Sequence, residues 1–196
     1  SYAQEWAQSK SVPFAATPVP VFEEFEYADN GAAVTVARYT GSQPEVTVPA
    51  SIGGKPVTGI GSGAFAGCYS LTSVTIPGSV KAIGDDAFAR CDSLTSLVIP
   101  AGVTAIGDGA FAGCAGLTSV AIGAGVTRLG SYAFEDCTGL TSVIIGDGVT
   151  AIGSSTFSGC TSLTSVTMGG SVADIGDYAF ARCYSLTAAV IPGSVT

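Results

Sequence analysis

The sequence contains no histidine. Serine–histidine and cysteine–histidine nucleophiles, histidine-ligated metal sites and proton transfer by imidazole are therefore excluded. Charged side chains are also scarce, at 11% of the 196 residues, and the acidic excess gives a formal net charge of −8. Nucleic acids and anionic membranes are bound by clustered lysine and arginine, so this composition argues against both partners.

Long apolar segments are missing as well. No apolar run approaches the ~20 residues that a helix needs to cross a bilayer. The N-terminus also lacks the charged and apolar blocks of a signal peptide. We therefore expect no membrane insertion, and an export signal, if the protein has one, is not present in this chain.

What the sequence does contain is a repeat of 23 residues. Two residue types mark it without a slip: Cys68, Cys91, Cys114, Cys137, Cys160 and Cys183, and Phe65, Phe88, Phe111, Phe134, Phe157 and Phe180. A fixed period of this length is typical of a solenoid, in which each repeat forms one coil. We call residues at equivalent positions of successive coils a column.

The unit Leu71–Cys91 shows how one coil is built. Alternating apolar residues predict a short strand followed by a second extended piece, and then a compact turn carrying the Ala-Phe pair. Eight side chains are expected to face the core, namely Leu71, Val74, Ile76, Val80, Ile83, Ala87, Phe88 and Cys91.

One polar column precedes each Ala-Phe pair. It holds only serine or aspartate: Ser62, Asp85, Asp108, Ser131, Ser154 and Asp177. Such residues cap helix N-termini, so we predict a short helical turn in each coil. The glycine before each of them, as at Gly84, is expected to adopt backbone angles that other residues avoid.

The chain divides into three parts. Residues 1–21 carry three prolines and no repeat, which indicates a linker or flanking segment. Residues 22–45 are predicted to form an N-terminal β-hairpin cap, because Phe25 and Tyr27 precede an Asp29-Asn30-Gly31 turn that Val34 and Val36 follow. Residues 46–196 form the array, with a longer first coil, five full 23-residue coils and one partial coil. We expect a monomer, or end-to-end association through the uncapped C-terminal coil.

These columns closely resemble the BspA-like leucine-rich repeats of bacterial and protist surface proteins. The resemblance covers 22–196 and rests on the I-P-x-x-V-x-x-I-G and A-F-x-x-C spacings. It implies an α/β, β-rich fold: a right-handed leucine-rich-repeat solenoid with a parallel sheet, short helical turns and an N-terminal hairpin cap. It also implies an extracellular or cell-surface location, and contact with host or microbial surface proteins or glycans.

The cysteines have three possible roles. One thiol per coil at a core position favours a buried, reduced ladder. The even number permits three disulfides instead, and metal binding is the third alternative, although zinc sites usually use clustered pairs. Acidic groups such as Asp85-Asp86, or Glu23, Glu24, Glu26 and Asp29, fit solvated surfaces better than catalytic or metal sites. We therefore expect no enzyme activity, no cofactor and no metal.

The candidate partner-binding face is the outward side of the first strand of each coil. Its two uncharged columns comprise Ser73, Ser96, Ser119, Ser142, Ser165 and Ala188, and Thr75, Val98, Ala121, Ile144, Thr167 and Val190. Two variable columns around Tyr132 and Tyr184 form an alternative face that bears aromatics. The predicted function is a non-enzymatic interaction module at the cell surface, serving adhesion to host matrix or other cells, with a structural spacer as the alternative.

Overall fold

The computed structural model describes residues 24–195, so the predicted linker at 1–21 and the start of the cap lie outside the described residues. Sixteen short strands follow one another along these residues without an α-helix between them. Their bounds are β1 Phe25–Asp29, β2 Val34–Tyr39, β3 Glu45–Thr47, β4 Ser51–Ile52, β5 Lys55–Ile60, β6 Ser73–Thr75, β7 Ala82–Ile83, β8 Ser96–Val98, β9 Ala105–Ile106, β10 Ser119–Ile122, β11 Arg128–Leu129, β12 Ser142–Ile145, β13 Ala151–Ile152, β14 Ser165–Met168, β15 Asp174–Ile175 and β16 Ala188–Val190.

Two sheets run along the stack of coils. The seven-stranded sheet takes the first strand of each coil in the order β16-β14-β12-β10-β8-β6-β3. The nine-stranded sheet takes the second strands, from β15 back to β5, and continues into β2 and β1, and β4 pairs antiparallel with β5 as the ninth strand. Pairing between the full coils is parallel and in exact 23-residue register, as in Val120 with Val143, whereas the longer first coil pairs Val46 with Val74. The predicted leucine-rich-repeat solenoid with a parallel sheet is confirmed.

The core follows the predicted columns. All eight predicted core side chains are buried in each of the three coils that begin at Leu71, Leu94 and Leu117. In the next coil Thr156 takes the alanine position, and its hydroxyl lies 3.0 Å from the Gly130 carbonyl oxygen and 2.7 Å from that of Gly153. In the last described coils Phe180 is only half-buried and Ile191 is exposed, because no further described coil stacks on them.

The N-terminal hairpin packs on the first coil. β1 and β2 pair antiparallel, and the Tyr39 ring stacks on Phe65 with centroids 5.2 Å apart. Phe25 lies 6.3 Å from Phe65 edge to face. Tyr27, which the alternation places on the same side as Phe25, is instead exposed, because the strand register shifts between Glu26 and Tyr27.

The predicted helical turns are wrong. Residues 62–67, 85–90, 108–113, 131–136, 154–159 and 177–182 form chains of turns, which we call the turn ladder. In the second of these, the Ala87 N–H donates within its coil to the Gly84 carbonyl oxygen, whereas the Phe88 N–H donates to Ala110 of the next coil at 2.7 Å. Because alternate N–H groups bond to the neighbouring coil, the regular pattern of a helix cannot form.

The predicted N-caps also act differently. The Asp85 carboxylate accepts a hydrogen bond at 2.9 Å from the N–H of Asp108, its own equivalent in the next coil. Asp108 accepts in the same way from Ser131 at 2.7 Å. These side chains therefore link coils to one another rather than starting a helical turn.

The glycine column before the turn ladder was predicted to need unusual backbone angles, and this is wrong. Gly84 and Gly153 do not have positive φ. A Cβ on Gly153 would instead lie 2.5 Å from the Ser131 nitrogen and 2.7 Å from the Gly130 carbonyl carbon. Glycine is required there because the backbones of adjacent coils approach closely.

Candidate functional site

The candidate partner-binding face forms one continuous outer surface of the seven-stranded sheet. Its two columns lie side by side because Ser119 pairs with Ser142, and Ala121 with Ile144, in the parallel register. Ser73 and Ser142 are half-buried, and the other members of the face are exposed, namely Thr75, Ser96, Val98, Ser119, Ala121, Ile144, Ser165, Thr167 and Val190, with Ala188.

Apolar side chains stand out on this face. Val98 is 75% exposed and Ile144 is 56% exposed, although both residue types are usually buried. The only charged residue in the described strands of this sheet that points outward is Glu45, at the N-terminal edge beside Ser73. The face is therefore a flat, nearly uncharged strip with apolar groups at intervals.

A threonine column borders the strip and was not singled out from the sequence. Each hydroxyl donates to the carbonyl oxygen of the equivalent residue in the preceding coil, as Thr141 does to Thr118 at 3.0 Å. The same carbonyl oxygen accepts the Thr141 N–H at 2.9 Å. The column is Thr72, Thr95, Thr118, Thr141, Thr164 and Thr187, and its uninterrupted threonine was the signal that could have identified it.

The phenylalanine and cysteine columns form one buried ladder. Consecutive rings stack nearly parallel, as Phe88 and Phe111 do at a centroid distance of 5.2 Å and an interplanar angle of 5°. Each thiol from Cys91 onward donates to the carbonyl oxygen of the phenylalanine in the coil before, at 3.1 to 3.2 Å. The ladder therefore resembles a hydrogen-bonded seam inside the core rather than a reactive site.

All six cysteines are free in the structure. Four are buried, but Cys68 and Cys183 are half-buried because they lie at the two ends of the stack. Burial raises the pKa of the Cys137 thiol well above its usual value, and it raises that of Cys160 to about 12. These two thiols are therefore protonated at physiological pH, which disfavours reactions that need a thiolate.

The acidic N-terminal cluster is partly accounted for by an ion pair. The Lys55 ammonium donates to the Asp29 carboxylate at 2.7 Å, and this hydrogen bond lowers the pKa of Asp29. Glu23 lies outside the described residues. Within residues 24–195 no group of three or more aspartate, glutamate or cysteine side chains is placed to hold a metal ion.

The alternative aromatic face lies on the outer side of the turn ladder and the bend that follows it. Tyr69, Tyr132, Tyr178 and Tyr184 are all exposed there. Tyr132 and Tyr178 have positive φ, which was not predicted from the sequence.

Comparison with known proteins agrees with this architecture. The sequence profile of the BspA type leucine-rich repeat region matches residues 81–196 in six copies. No match was found among curated protein sequences.

Solved structures of bacterial leucine-rich repeat proteins are similar to the chain. The T. pallidum leucine-rich repeat protein is 28% identical, with a TM-score of 0.70 over 87% of this chain and 90% of that one. A leucine-rich cell surface protein from Faecalibacterium prausnitzii A2-165 is 30% identical, with a TM-score of 0.68 over 91% of this chain and 54% of that one. A protein from Eubacterium ventriosum, at 24% identity and a TM-score of 0.73, shows the same fold over 88% of this chain and 47% of that one.

The chain thus spans about half the length of the last two structures. In the part of the chain that the structure describes, no helix is long and apolar enough to cross a membrane. Since the family profile covers more than half of the residues and the fold agrees, the chain belongs to the BspA-type leucine-rich repeat family.

Proposed function

We propose that this chain is a non-enzymatic interaction module at the bacterial cell surface, which binds a protein or glycan through the outer face of the seven-stranded sheet. The observation that carries the proposal is the exposure of Val98 and Ile144 on a strip with almost no charge. Burying a valine or isoleucine side chain contributes about 1.5 to 3 kcal/mol, so several such groups can anchor a partner.

The rigidity of the strip also supports binding. Threonine hydroxyls and backbone hydrogen bonds fix each strand to the next, as at Thr118 and Thr141. A surface that is already ordered loses little conformational entropy when a partner docks. Contact of this kind would serve adhesion to host matrix or to other cells, and the similarity to a cell surface protein of F. prausnitzii supports that location.

A binding experiment with matched variants tests the proposal. Matrix proteins, surface glycans and intact bacteria are screened with the wild-type chain, and each positive is repeated with a V98E/I144E double variant. Two charges placed on the strip should abolish binding, because desolvating unpaired carboxylates is costly.

The matched control is A105E/A151E, which places two charges two coils apart on the outer side of the nine-stranded sheet. This control should bind like wild type. Equal loss in both double variants would place the contact elsewhere. Absence of any saturable binding would favour the spacer alternative, which the greater length of two of the similar structures supports.

A further inference from the structure

The turn ladder contains two columns in which every described residue has positive φ. The first is Gly63, Asp86, Gly109, Tyr132, Ser155 and Tyr178, and the second is Gly67, Arg90, Gly113, Asp136, Gly159 and Arg182, with φ between 53° and 74°. Glycine suits this left-handed conformation, and aspartate tolerates it. Tyrosine and arginine gain nothing from it, so their presence at Tyr132, Tyr178, Arg90 and Arg182 is a cost to the fold.

Strained residues of this kind are held in place by the surrounding structure, and they cluster at sites that bind ligands. Both tyrosines project into solvent, since Tyr132 is 47% exposed and Tyr178 is 76% exposed. Neither is required for the turn, because Gly63 and Gly109 adopt the same conformation in the same column. The tyrosine side chains therefore need an explanation outside the folded chain itself.

The second column alternates strictly between glycine and a charged residue. The physical reason is that each charged side chain leans over the next coil. A Cβ on Gly113 would lie 3.3 Å from Arg90 Cγ, and one on Gly159 would collide with Asp136 Oδ1. In this second column, glycine leaves room for the side chain of the coil before, so large side chains recur in every second coil.

The two tyrosines of the first column also lie two coils apart. Strands of neighbouring coils are about 4.7 to 4.9 Å apart, so Tyr132 and Tyr178, with Ser155 between them, are separated by about 10 Å. Carbon atoms in contact are about 3.5 to 4.0 Å apart, so one ring-sized group can touch both tyrosines. Asp136 and Arg182, in the same two coils, flank this gap in the second column.

A polyproline II helix has three residues per turn and a rise of 3.1 Å per residue, so its equivalent side chains recur about every 9.3 Å. Prolines in this conformation are recognised by aromatic-lined surfaces, and the preformed helix loses little entropy on binding. We propose that the turn ladder binds a proline-rich peptide in the polyproline II conformation along the solenoid axis, with one proline seated over Ser155 between Tyr132 and Tyr178.

The backbone under this site is held in place. The Tyr132 N–H donates to the Ser154 carbonyl oxygen at 2.9 Å, and the Ser155 N–H donates to the Asp177 backbone carbonyl oxygen at 2.8 Å. Asp136 lies at one end of the gap and Arg182 at the other. A charged residue next to the proline would be attracted to one of them and repelled by the other, which would set the direction of the peptide. The site uses a surface different from the sheet face, and the two proposals can fail separately.

The test uses fluorescence anisotropy with a labelled oligoproline of about ten residues, and with a glycine–serine peptide of equal length that cannot hold the polyproline conformation. Wild type should bind the oligoproline saturably and should not bind the glycine–serine peptide. Y132G and Y178G each remove one aromatic contact, so each should lower the affinity for the oligoproline about tenfold.

The matched control is D86G, which replaces a residue of the same column at φ 53°, two coils before Tyr132, without removing a ring. Its oligoproline affinity should equal that of wild type. Y132G and Y178G should also melt no lower than wild type, because glycine fits their backbone, so any loss of binding reflects the missing rings. The V98E/I144E variant should keep full oligoproline binding, even if it loses partners of the sheet face.

Three outcomes overturn the proposal. The first is no saturable oligoproline binding to wild type. The second is an affinity that Y132G and Y178G leave unchanged. The third is binding of chitin or peptidoglycan oligosaccharides that depends on the two tyrosines while the oligoproline does not bind, which would make the site a glycan site.

Discussion

The Cys114 thiol donates a hydrogen bond at 3.2 Å to the carbonyl oxygen of Phe88, which belongs to the preceding coil. The Phe88 ring stacks on that of Phe111, the aromatic residue of the same coil as Cys114. Cysteine and phenylalanine thus connect the same pair of coils, one by a hydrogen bond and the other by ring contact.

Replacing this thiol should cost measurable stability. Cys114→Ala removes a buried hydrogen bond and one sulfur atom, so the free energy of unfolding should fall by about 1 to 2 kcal/mol. Urea denaturation measures the change. Cys68→Ala, at the half-buried end of the column, is the control and should cost less than about 0.5 kcal/mol. Equal effects at the two positions would contradict a role for the hydrogen bond.

The ring stack should be more sensitive than the thiols. Phe111 is fully buried between Phe88 and Phe134, with both centroid distances at 5.2 Å. Phe111→Ala should lower the free energy of unfolding by about 3 to 5 kcal/mol, because the rings on either side cannot close the cavity. An unchanged denaturation midpoint would show that the phenylalanine column does not form the core.

Thiol labelling separates the buried, reduced ladder from the three-disulfide alternative. Only the half-buried Cys68 and Cys183 should react in the native protein near neutral pH, and all six thiols should react after denaturation. Mass spectrometry counts the labels. A mass lower by six hydrogens before labelling, with no thiol reacting in denaturant, would show three disulfides instead.

Stability should fall in alkaline solution. Burial raises the pKa of Cys160 from 9.0 to about 12, so the folded state keeps a proton that the unfolded state loses. The contribution of this group is complete below pH 9 and is lost as the pH rises from 9 towards 12. In urea unfolding across this range, Cys160→Ala should show a shallower pH dependence, by up to about 1.4 kcal/mol per pH unit. Parallel curves for the two proteins would contradict the raised pKa.

Two glycines should respond in opposite ways to alanine. Gly153→Ala places a Cβ 2.5 Å from the Ser131 nitrogen and should cost about 1 to 3 kcal/mol, because the backbones of the coils must separate. Gly78→Ala meets nothing within 4 Å and should be neutral or stabilising by about 0.4 to 1 kcal/mol. Thermal melting of both variants measures the contrast. Similar shifts for the two would mean that close approach does not determine the glycine at 153.

The sequence alone was sufficient to predict the solenoid and the residues of its core. The 23-residue period specifies parallel register, and alternation within Leu71–Cys91 identifies the inward side chains, because both depend on residue spacing along the chain. The outward columns of the candidate face, such as Ala121 and Ile144, followed from the same alternation.

Only the stacking of coils determined which partners the backbone N–H and C=O groups of each turn bond to. Aspartate is a residue type typical of N-caps. The Asp85 carboxylate nevertheless accepts a hydrogen bond from the Asp108 N–H, because the next coil places that N–H within reach. Glycine at 153 is required by a neighbour 22 residues earlier, and the left-handed conformation lies two residues later, at Ser155. These features depend on the approach of one coil to another, which spacing within a single repeat does not contain.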